Sequence, residues 1–563
     1  MPSLQPLPGV LFIQKDGGLI PLAPAPTTDT VLIIGNAVDG PVDTPVTLRN
    51  VSDIESIFGP VVYKGDYTDP ITGTASKNYT GNNLVKAVNE CLMGGGQNIV
   101  CVRVGGTVAS STNALAASAN MYAKYPGRVY NNTSVVITSG SSGYNFTLVQ
   151  PATKGGTVVF LYPMATTLGD ALTSFNTDIR NNSVILTAPV NTFTSYVSAM
   201  GTGTITITGG TNGTSAPGED YATSKIALYT LLTQSGGTFD KVMDLRFDLS
   251  VLACVYGDDQ VSSGSPTTTS VAQAFAEFNY NHSKETQPSH GIVLLRPTGL
   301  TTSSDLATFS TNYYENTSAG YVDQNGKWIK FGYFMNLGFN YVDTDTGETV
   351  DIGRHISVCA GPDIVFSNKD LGYYPENGGA AYAGVVSNQP VQIAATNKPL
   401  GVVKYLNGSF PLATHKRLNQ GIGRDAQTGA AGVGAYVTFK NNSTLGRPVV
   451  VSDNTCSQRT SDYHTLQTIR ISDTVCRVAR DVLFPFIGGP NSPDSRAAMK
   501  TLLNKALQAF TEQGALIGGE GVGYYFTIGS DINETLLNQV TISLFIRPAI
   551  EIKFIKLVVN ITQ

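Results

Sequence analysis

Two patterns of apolar residues alternate along the first three hundred residues of the chain. Val31–Gly35 and Ile99–Val104 are compact apolar runs, which predict buried strands. Between them, Asn83–Met93 carries apolar side chains at helical spacing on one face. Leu249–Tyr256 and Val271–Tyr280 repeat the strand and helix patterns further along the chain. Strand–helix–strand order predicts an α/β unit.

Residues 107–220 have a different texture. After a short helix predicted at Ala114–Tyr122, Thr, Ser, Asn and Gly dominate and charged residues are nearly absent. Short runs of this kind predict strands separated by turns. These runs are Ser134–Thr138, Asn145–Val149, Thr157–Tyr162 and Thr204–Thr208. We therefore predict an inserted all-β domain.

The last hundred residues show the clearest periodicity. An apolar stripe at helical spacing predicts a helix over Ser461–Leu483, which Pro485 ends. A second helix is predicted over 494–513, with Asp494 as its N-terminal cap and Gly514 as its stop. Val540–Ile546 then alternates apolar and polar side chains, which predicts a half-buried strand.

Both ends of the chain contain strand patterns without a local partner. Six prolines among residues 1–30 predict an extended arm, and its apolar run is Val10, Leu11, Phe12 and Ile13. The C-terminal run shifts its alternation by one residue after Phe554, and an extended chain over 549–561 would span about 43 Å. Its apolar positions are Ile550, Ile552, Phe554, Ile555, Leu557, Val559 and Ile561. We predict that both strands pair with other copies of the chain.

These patterns predict a multidomain protein of mixed α+β and α/β class. An α/β core carries an inserted all-β domain and a C-terminal α+β domain. The predicted parts are an extended arm (1–27), an α/β middle region (28–106 with 221–455), the β-rich insert (107–220), a C-terminal core domain (456–548) and a C-terminal strand arm (549–563).

Composition excludes several functional classes. The 563 residues carry a formal net charge of −5, and 14% of them are charged, which gives no general electrostatic field for nucleic acid or an anionic membrane. No apolar run approaches the roughly 18–20 residues of a membrane span. The N-terminus lacks a signal-peptide pattern, so we expect synthesis and retention in the cytoplasm. The six cysteines are sparse and form no CxxC pair, so we expect buried free thiols.

The sequence contains no recognisable catalytic or cofactor motif. Gly518–Gly523 is glycine-rich but lacks the Lys-Ser/Thr of a phosphate loop, so we interpret it as a turn. His282 and His290 are eight residues apart, and we favour solvated loop histidines over a zinc site. We therefore predict a protein that is not an enzyme and has no catalytic residues, cofactor or metal.

Three basic residues lie on the helix predicted over 494–513. They are Arg496, Lys500 and Lys505, and we place them on its polar face. A solvated helix face is one interpretation. A cationic surface for an acidic partner is the other.

Several short motifs occur in an order that resembles the contractile tail sheath family of bacteriophages and related injection machines. Asp43 stands where that family usually has Asn, and Tyr130 where glycine is usual. The motifs are Pro8-Gly9-Val10, Val31–Gly35 followed by Gly40–Val46, Ser52–Gly59, Gly94–Val104, Tyr125–Asn131, Lys398-Pro399-Leu400, Gly421-Ile422-Gly423 and Phe510–Gly518.

The resemblance implies a structural subunit of a phage tail. Sheath subunits form six-membered rings, stacked helically around a tail tube, and exchange N- and C-terminal strands with neighbouring copies. The implied partners are further copies of the chain, the tail tube protein, and baseplate and tail terminator proteins; nucleic acid and membrane insertion are not implied. A metastable sheath contracts on a signal from the baseplate and drives the tube through the host envelope for genome delivery. The implied location is the virion, after assembly in the host cytoplasm. The resemblance also implies that strands from neighbouring subunits complete the C-terminal α+β domain, with the arm residues as the contact sites. Arg496, Lys500 and Lys505 are a separate hypothesis, as possible tube-facing residues.

Two other functional classes stay open at the level of sequence. The Thr/Ser/Asn-rich insert is also typical of a β-rich virion surface protein or a glycan-binding adhesin. Val31–Gly35 is also typical of a nucleotide-using α/β enzyme, although no phosphate loop accompanies it.

Overall fold

The fold was derived from a computed structural model of the chain. It describes residues 29–48, 53–61, 63–68, 75–79, 82–105, 120–127, 130–140, 143–151, 157–165, 184–187, 203–208, 210, 231–233, 238–256, 260–262, 268–296, 321–322, 328–329, 340–343, 347–360, 364–369, 372–401, 403–405, 437–457, 461–529 and 539–550.

Helices and strands are distributed over all of these ranges. The helices are α1 (Asp53–Phe58), α2 (Asn83–Gly94), α3 (Thr238–Met243), α4 (Val271–Glu285), α5 (Gly379–Ser387), α6 (Leu466–Leu483) and α7 (Pro493–Glu512). The first fifteen strands are β1 (Thr30–Gly35), β2 (Val46–Thr47), β3 (Tyr63–Thr68), β4 (Ala75–Tyr79), β5 (Asn98–Arg103), β6 (Asn120–Ala123), β7 (Ser134–Gly140), β8 (Gly143–Pro151), β9 (Thr157–Ala165), β10 (Val184–Thr187), β11 (Gly203–Thr206), β12 (Leu249–Tyr256), β13 (Gln260–Ser262), β14 (Thr268–Ser270) and β15 (His290–Arg296). The others are β16 (Tyr321–Val322), β17 (Trp328–Ile329), β18 (Asn340–Val342), β19 (Thr349–Asp351), β20 (Ile356–Ala360), β21 (Ile364–Asn368), β22 (Gly372–Glu376), β23 (Lys404–Tyr405), β24 (Phe439–Asn442), β25 (Arg447–Val450), β26 (Tyr524–Ile528) and β27 (Ile542–Ile546).

A six-stranded sheet forms the centre of the α/β body, in the spatial order β2, β5, β1, β12, β15, β20. Edge strand β2 is antiparallel to β5, and the other five strands are parallel. Val31 of β1 is paired with Ile99 of β5 on one side and with Leu249 of β12 on the other. Parallel neighbours need crossover connections, which α2 and α4 provide. The predicted α/β class is therefore confirmed.

The two faces of the sheet enter separate hydrophobic cores. Val31 and Ile33 of β1 pack on the side of α2 and α5, whereas Leu32 and Ile34 pack on the side of α4. All four side chains are fully buried. The continuous apolar run of β1 follows from this arrangement, because side chains alternate across a strand and both faces are covered.

Helices α2 and α5 cross at unusually short range, through glycine. A Cβ atom at Gly384 of α5 would lie 2.0 Å from the carbonyl oxygen of Cys91, and one at Gly94 would lie 2.0 Å from that of Ala381. Gly95 then ends α2 with a φ of 106°, a conformation that glycine adopts without strain. These glycines let two helix backbones come into contact on the sheet.

The β-rich insert contains its own small sheets. Strands β11, β7, β8 and β9 form a four-stranded sheet, and β6 pairs with β10. The four predicted strand runs are thus found as β7, β8, β9 and β11. The predicted helix at Ala114–Tyr122 is wrong over its last residues, because Asn120–Ala123 pairs with Val184–Thr187 as a strand. Cross-strand pairing outweighs the local helical pattern there; residues 106–119 are not among the described ranges.

Tyr130 joins the insert to the α/β body. Its side chain is 2% exposed, and its hydroxyl donates a hydrogen bond to the carboxyl group of Asp39. Arg103, fully buried at the end of β5, donates from Nη1 to the carbonyl oxygen of Gly40 at 2.8 Å. Burial raises the pKa of Asp39 and lowers that of Arg103 to about 10. The junction is therefore a buried polar cluster.

The two predicted C-terminal helices correspond to α6 and α7. The N-terminal cap of α7 is Ser492 and not Asp494, since the amide of Ser495 donates to Ser492 Oγ at 3.1 Å. Pro493 occupies the first helical position, where its missing N–H costs nothing. The division into five domains with the stated boundaries stays a prediction.

Candidate assembly site

The C-terminal unit, which we define as α6, α7, β26 and β27, has a small core of its own. Leu503, Leu507 and Phe510 of α7 pack against Ile471 and Val475 of α6, and all five are buried. Both helices are amphipathic, so their packing follows directly from the periodicity of the sequence. They form a platform on which the hairpin lies.

The hairpin of β26 and β27 covers this platform with one face. Tyr524 is paired with Ile546, and Ile528 with Ile542. The even-numbered side chains of both strands face the helices, and the odd-numbered ones face outward. Those packed against the core include Phe526, Ile542, Leu544 and Ile546, all half-buried. The alternation predicted for this strand is therefore present.

Along its outer edges, the hairpin has backbone groups that pair with no further strand among the residues that the structure describes. The amide of Arg547 donates to the carbonyl of Gly523 at 3.0 Å, and that of Gly529 to Thr541 at 2.7 Å. Odd-numbered residues thus bond across the hairpin, so the N–H and C=O groups of even-numbered residues such as Leu544 point to the edges. Apart from isolated bridges at Tyr524 and Pro548, no further strand pairs with either edge in the described part of the chain.

An incomplete sheet of this kind favours strand addition. An isolated two-stranded sheet is marginal in water, and an unpaired edge is a template for another strand. On the outer face, the rings of Tyr525 and Phe545 stack with their centroids 4.3 Å apart and are 45% and 43% exposed. The hairpin therefore offers both free hydrogen-bonding groups and exposed apolar surface.

The glycine-rich segment Gly518–Gly523 lies between α7 and β26, as a turn. Gly518 has a φ of 100°, and a Cβ atom at Gly523 would lie 1.8 Å from the carbonyl oxygen of Gly518. The turn therefore needs glycine for close backbone contact, in agreement with the interpretation from sequence.

Few of the predicted arm residues fall in the described ranges. Ile550 does, and its side chain is 55% exposed just beyond the hairpin. Ala549, next to it, packs against the core of the C-terminal unit. The other arm residues lie outside the described residues: Val10, Leu11, Phe12, Ile13, Ile552, Phe554, Ile555, Leu557, Val559 and Ile561. Their strand pairing stays a prediction.

The three basic residues of α7 do not share one face. Lys500 and Lys505 are exposed, whereas Arg496 is half-buried and its Nε donates to Asn491 Oδ1 at 2.9 Å. At about 100° per residue, Arg496 and Lys505 lie on opposite sides of the helix. Asp494 and Glu512 are also exposed. The surface of α7 is therefore mixed in charge, and a tube-facing role stays a prediction.

The chain matches known proteins among the solved structures. No protein-family model matches the chain, and no curated protein sequence matches it. The sheath tail protein Lin1278 from Listeria innocua matches with a TM-score of 0.51 and 11% identity, over 93% of each chain. The chain has the fold of a tail sheath protein.

Two further solved structures match more weakly. A sheath tail protein from Desulfitobacterium hafniense has a TM-score of 0.47 and 12% identity, over 95% of this chain and 99% of that one. The sheath complex of an extracellular contractile injection system, in its contracted state, has a TM-score of 0.44 and 11% identity, over 99% and 98%. The resemblance to sheath proteins inferred from the motifs is confirmed for the fold.

The parallel sheet of this sheath fold has the strand order of nucleotide-binding α/β proteins. Counted among the parallel strands, the order is 2-1-3-4-5, which places the usual ligand crevice beyond the ends of β1 and β12. Asn82 occupies this region; it is fully buried and donates to the carbonyl oxygens of Phe58, Gly59 and Pro60. The amide of Leu84 donates to the carbonyl of Asn36 beside it. The fold thus fills this position with its own side chains.

His282 and His290 are buried, contrary to the prediction of solvated loop residues. His282 contacts Ser289 Oγ at 2.9 Å and the carbonyl oxygen of Leu245 at 2.7 Å, and burial lowers its pKa to about 4. His290 contacts Ser357 Oγ at 2.8 Å, and burial lowers its pKa to about 3. The prediction failed because both side chains are enclosed where α4 meets β15, contacts that no local pattern reveals.

The cysteine side chains are those of a packed protein interior. The cysteines with a described side chain, Cys91, Cys101, Cys359, Cys456 and Cys476, are free and buried, as predicted. Burial raises the pKa of Cys91 to about 12, which keeps it a neutral thiol. Within the described ranges, no cluster of three His, Cys, Asp or Glu suited to a metal ion was found. No described helix has the length and apolar character needed to cross a membrane.

Proposed function

We propose that this chain is a structural subunit of a contractile tail sheath. The observation that carries the proposal is the C-terminal hairpin, whose edges lack partner strands within the described residues, in a chain with the sheath fold. A fold alone does not specify assembly. An incomplete sheet on an apolar platform supports it, because a further strand would give its edge groups hydrogen bonds.

The partner strands would come from the ends of neighbouring copies. Val10–Ile13 and the alternating C-terminal residues after Ala549 have the pattern of strands with one apolar face. The free N–H and C=O groups of Ile542 and Leu544 would bond such a strand, and the alternating apolar face would set its register. Exchange of this kind is head-to-tail and does not have to close, so it can extend through a helical polymer.

In the proposed particle, subunits stack as six-fold rings around a tail tube. A baseplate signal would convert the extended sheath to a shorter, wider state and drive the tube through the host envelope for genome delivery. Domains would rotate as rigid bodies while exchanged strands hold neighbours together. The role requires no covalent chemistry and no cofactor. The protein would be assembled in the host cytoplasm and reside in the virion.

Electron microscopy of the purified chain tests this proposal. We expect tubular polymers, and we expect deletion of 1–20 or of 551–563 to abolish them while circular dichroism and gel filtration show a folded monomer. A hydrogen-exchange measurement adds resolution: the Leu544 amide should exchange rapidly in the monomer and slowly in tubes. Tubes that persist in the absence of both ends would refute strand exchange.

Contact between α7 and a tail tube is a separate part of the proposal. Lys500 and Lys505 are its exposed basic residues. If they contact an acidic tube, the variant Lys500→Glu/Lys505→Glu should assemble normally alone but lose acceleration by added tubes. Equal acceleration of the variant and the unmodified chain would exclude charge attraction at this helix.

A further inference from the structure

The first described residue, Asp29, is held in the interior by two groups, the guanidinium of Arg470 and the carbonyl of Ser387. Its carboxylate accepts a hydrogen bond from Arg470 Nη2 at 2.7 Å, and both side chains of this ion pair are at most 6% exposed. Its amide donates to the carbonyl oxygen of Ser387, at the end of α5, at 3.1 Å. Arg470 also donates to the carbonyl of Gln389 at 2.8 Å. The point at which residues 1–28 join the body is thus fixed by α6 and α5 together.

A second ion pair lies beside the first. The amide of Thr30 donates to Asp248 Oδ2 at 2.9 Å, and the amide of Asp248 donates back to the carbonyl of Thr30 at 3.0 Å. Arg477 of α6 donates to Asp248 Oδ1. Gln287 donates to the same oxygen at 3.2 Å. Two carboxylates and two guanidinium groups therefore form a neutral cluster where β1 begins.

The arginines of this cluster occupy one face of α6. Arg470, Arg477 and Arg480 are spaced by seven and three residues, which keeps them within one side of a helix. Arg480 extends the contact to the end of α4, where it donates to the carbonyl oxygens of Glu285 and Thr286. This face of α6 is directed at the α/β body and the start of β1.

The opposite face of α6 belongs to the C-terminal unit. Ile471 and Val475 are buried in the core shared with α7 and Tyr524 of the hairpin. At about 100° per residue, they lie roughly 100–140° from Arg470 around the helix axis. A single helix thus contacts the start of the N-terminal segment with its charged face and supports the hairpin with its apolar face.

We propose that Asp29, Asp248, Arg470 and Arg477 are positioning residues that anchor the N-terminal segment to the C-terminal unit of the same subunit. A displacement at Asp29 is passed through α6 to the hairpin, so the start of β1 and the hairpin move as one body. The inference rests on the proposed function only for its consequence in the polymer. The anchor itself is a property of the monomer.

The chemistry of the cluster supports a positioning role. A buried ion pair contributes little to stability over an apolar pair of the same shape, yet removing one partner leaves a charge without compensation. Arg470 Nη2 donates both to Asp29 Oδ2 and to the carbonyl oxygen of Gln389, so one guanidinium group joins the start of β1 to the segment after α5. Apolar residues would have sufficed to bury this site, whereas paired charges specify where the segment leaves the body.

Spin-label distances in the monomer test the anchor directly. One label is placed at Thr28→Cys and the other at Lys505→Cys on the exposed side of α7, with the unmodified chain labelled in parallel. We expect one narrow distance distribution, and at least a twofold increase in its width in the variant Asp29→Ala/Arg470→Met. That variant removes the carboxylate of Asp29 and the guanidinium group of Arg470 together, so neither charge is left buried without the other.

Two controls separate anchoring from folding. The reference pair Lys369→Cys/Lys505→Cys should keep its width in the same variant, since Lys369 lies on the α/β body and is exposed. Asp244→Asn, at an exposed carboxylate near the end of α3, should leave the Thr28–Lys505 distribution unchanged. An unchanged width in Asp29→Ala/Arg470→Met would overturn the proposal, as would equal broadening of the reference pair.

Tube formation by the same variants distinguishes the anchor from the proposed function. If both hold, Asp29→Ala/Arg470→Met should form tubes about tenfold more slowly than Asp244→Asn. Broadened distances with an unmodified chain that forms no tubes would keep the anchor and refute the sheath proposal. Unchanged distances together with normal tube formation would refute the anchor and keep the sheath proposal.

Discussion

The central sheet and the C-terminal hairpin both bury apolar side chains, but they differ in how many of their faces are covered and how many of their strands are paired. The central sheet has six strands, and helices cover both of its faces, so β1 buries every side chain from Val31 to Ile34. The hairpin has two strands and packs one face on the helices, and within the described residues no further strand pairs with its edges. The first is complete within one chain. Under the proposed function, strands of other copies complete the second.

The largest expected effect is that of acid on the α/β body, which encloses His282 and His290. Burial lowers the pKa of His282 to about 4 and that of His290 to about 3, so the folded state resists protonation. Their stability contribution is complete above the unfolded pKa of about 6.5 and is lost as the pH falls below it. At pH 5 the loss is about 2 kcal/mol for each histidine.

The acid effect can be assigned by denaturation at several pH values. Asp29 and Asp39, whose pKa values are raised by burial, oppose the histidines and reduce the net slope. His290→Gln should remove about half a proton from the slope of unfolding free energy against pH at pH 6.5, and close to one proton at pH 5. The C-terminal unit contains no histidine. An unchanged slope in His290→Gln would contradict this assignment.

The next effect concerns the crossing of α2 and α5. A methyl group at Gly384 would collide with the carbonyl of Cys91 and force two backbones apart on the central sheet. We expect Gly384→Ala to destabilise the monomer by about 2–3 kcal/mol, because overpacking outweighs the gain in helix propensity. Chemical denaturation measures it. The matched control is Gly519→Ala in the turn before the hairpin, where no atom lies within 4 Å of the new carbon.

Sequence patterns predicted individual helices and strands in both regions, for a physical reason. Strand β12 was predicted to the residue, and the alternation of β27 and the stripe of α6 were also found. Hydrophobic periodicity is local, so it reports which face of an element is buried. It does not report which elements meet.

The contacts that matter for the candidate site are not local. Asp29 and Arg470 are 441 residues apart in sequence, and nothing beside either residue indicates the pair. The burial of His282 likewise depends on Leu245 and Ser289, brought together by folding. The unpaired edges of the hairpin could be suspected from Ile542–Ile546. Which residues direct their N–H and C=O groups to these edges became evident only from the hydrogen bonds that the odd-numbered residues of the hairpin make.

A smaller effect is expected where the insert meets the α/β body. Tyr130→Phe removes the hydroxyl that donates to Asp39 and keeps the ring buried. We expect a loss of about 1–2 kcal/mol, the range for a hydrogen bond to a carboxyl group, together with faster hydrogen exchange in β7 and β11. Tyr122→Phe, on the more exposed β6, is the control. Equal stability of both variants would mean that Tyr130 does not hold the insert.

The smallest change to the monomer should have the largest consequence for the polymer. Replacing the amide of Leu544 by an ester keeps the side chain and removes one N–H, which points to the free edge of the hairpin. The monomer should lose less than about 0.5 kcal/mol, because that N–H has no strand partner to lose there. In a sheath, each copy would lack one hydrogen bond to an incoming strand, and the concentration needed for tube formation should rise.

The same ester at Phe545 supplies the opposite case. Its N–H lies among the odd-numbered residues that bond across the hairpin, so the monomer should lose about 1 kcal/mol. Thermal unfolding of the monomers and the critical concentration of tubes are measured for both esters. If the Leu544 ester destabilised the monomer as much as the Phe545 ester, the edge would already be occupied within one chain. The contrast between a complete and an incomplete sheet would then no longer hold.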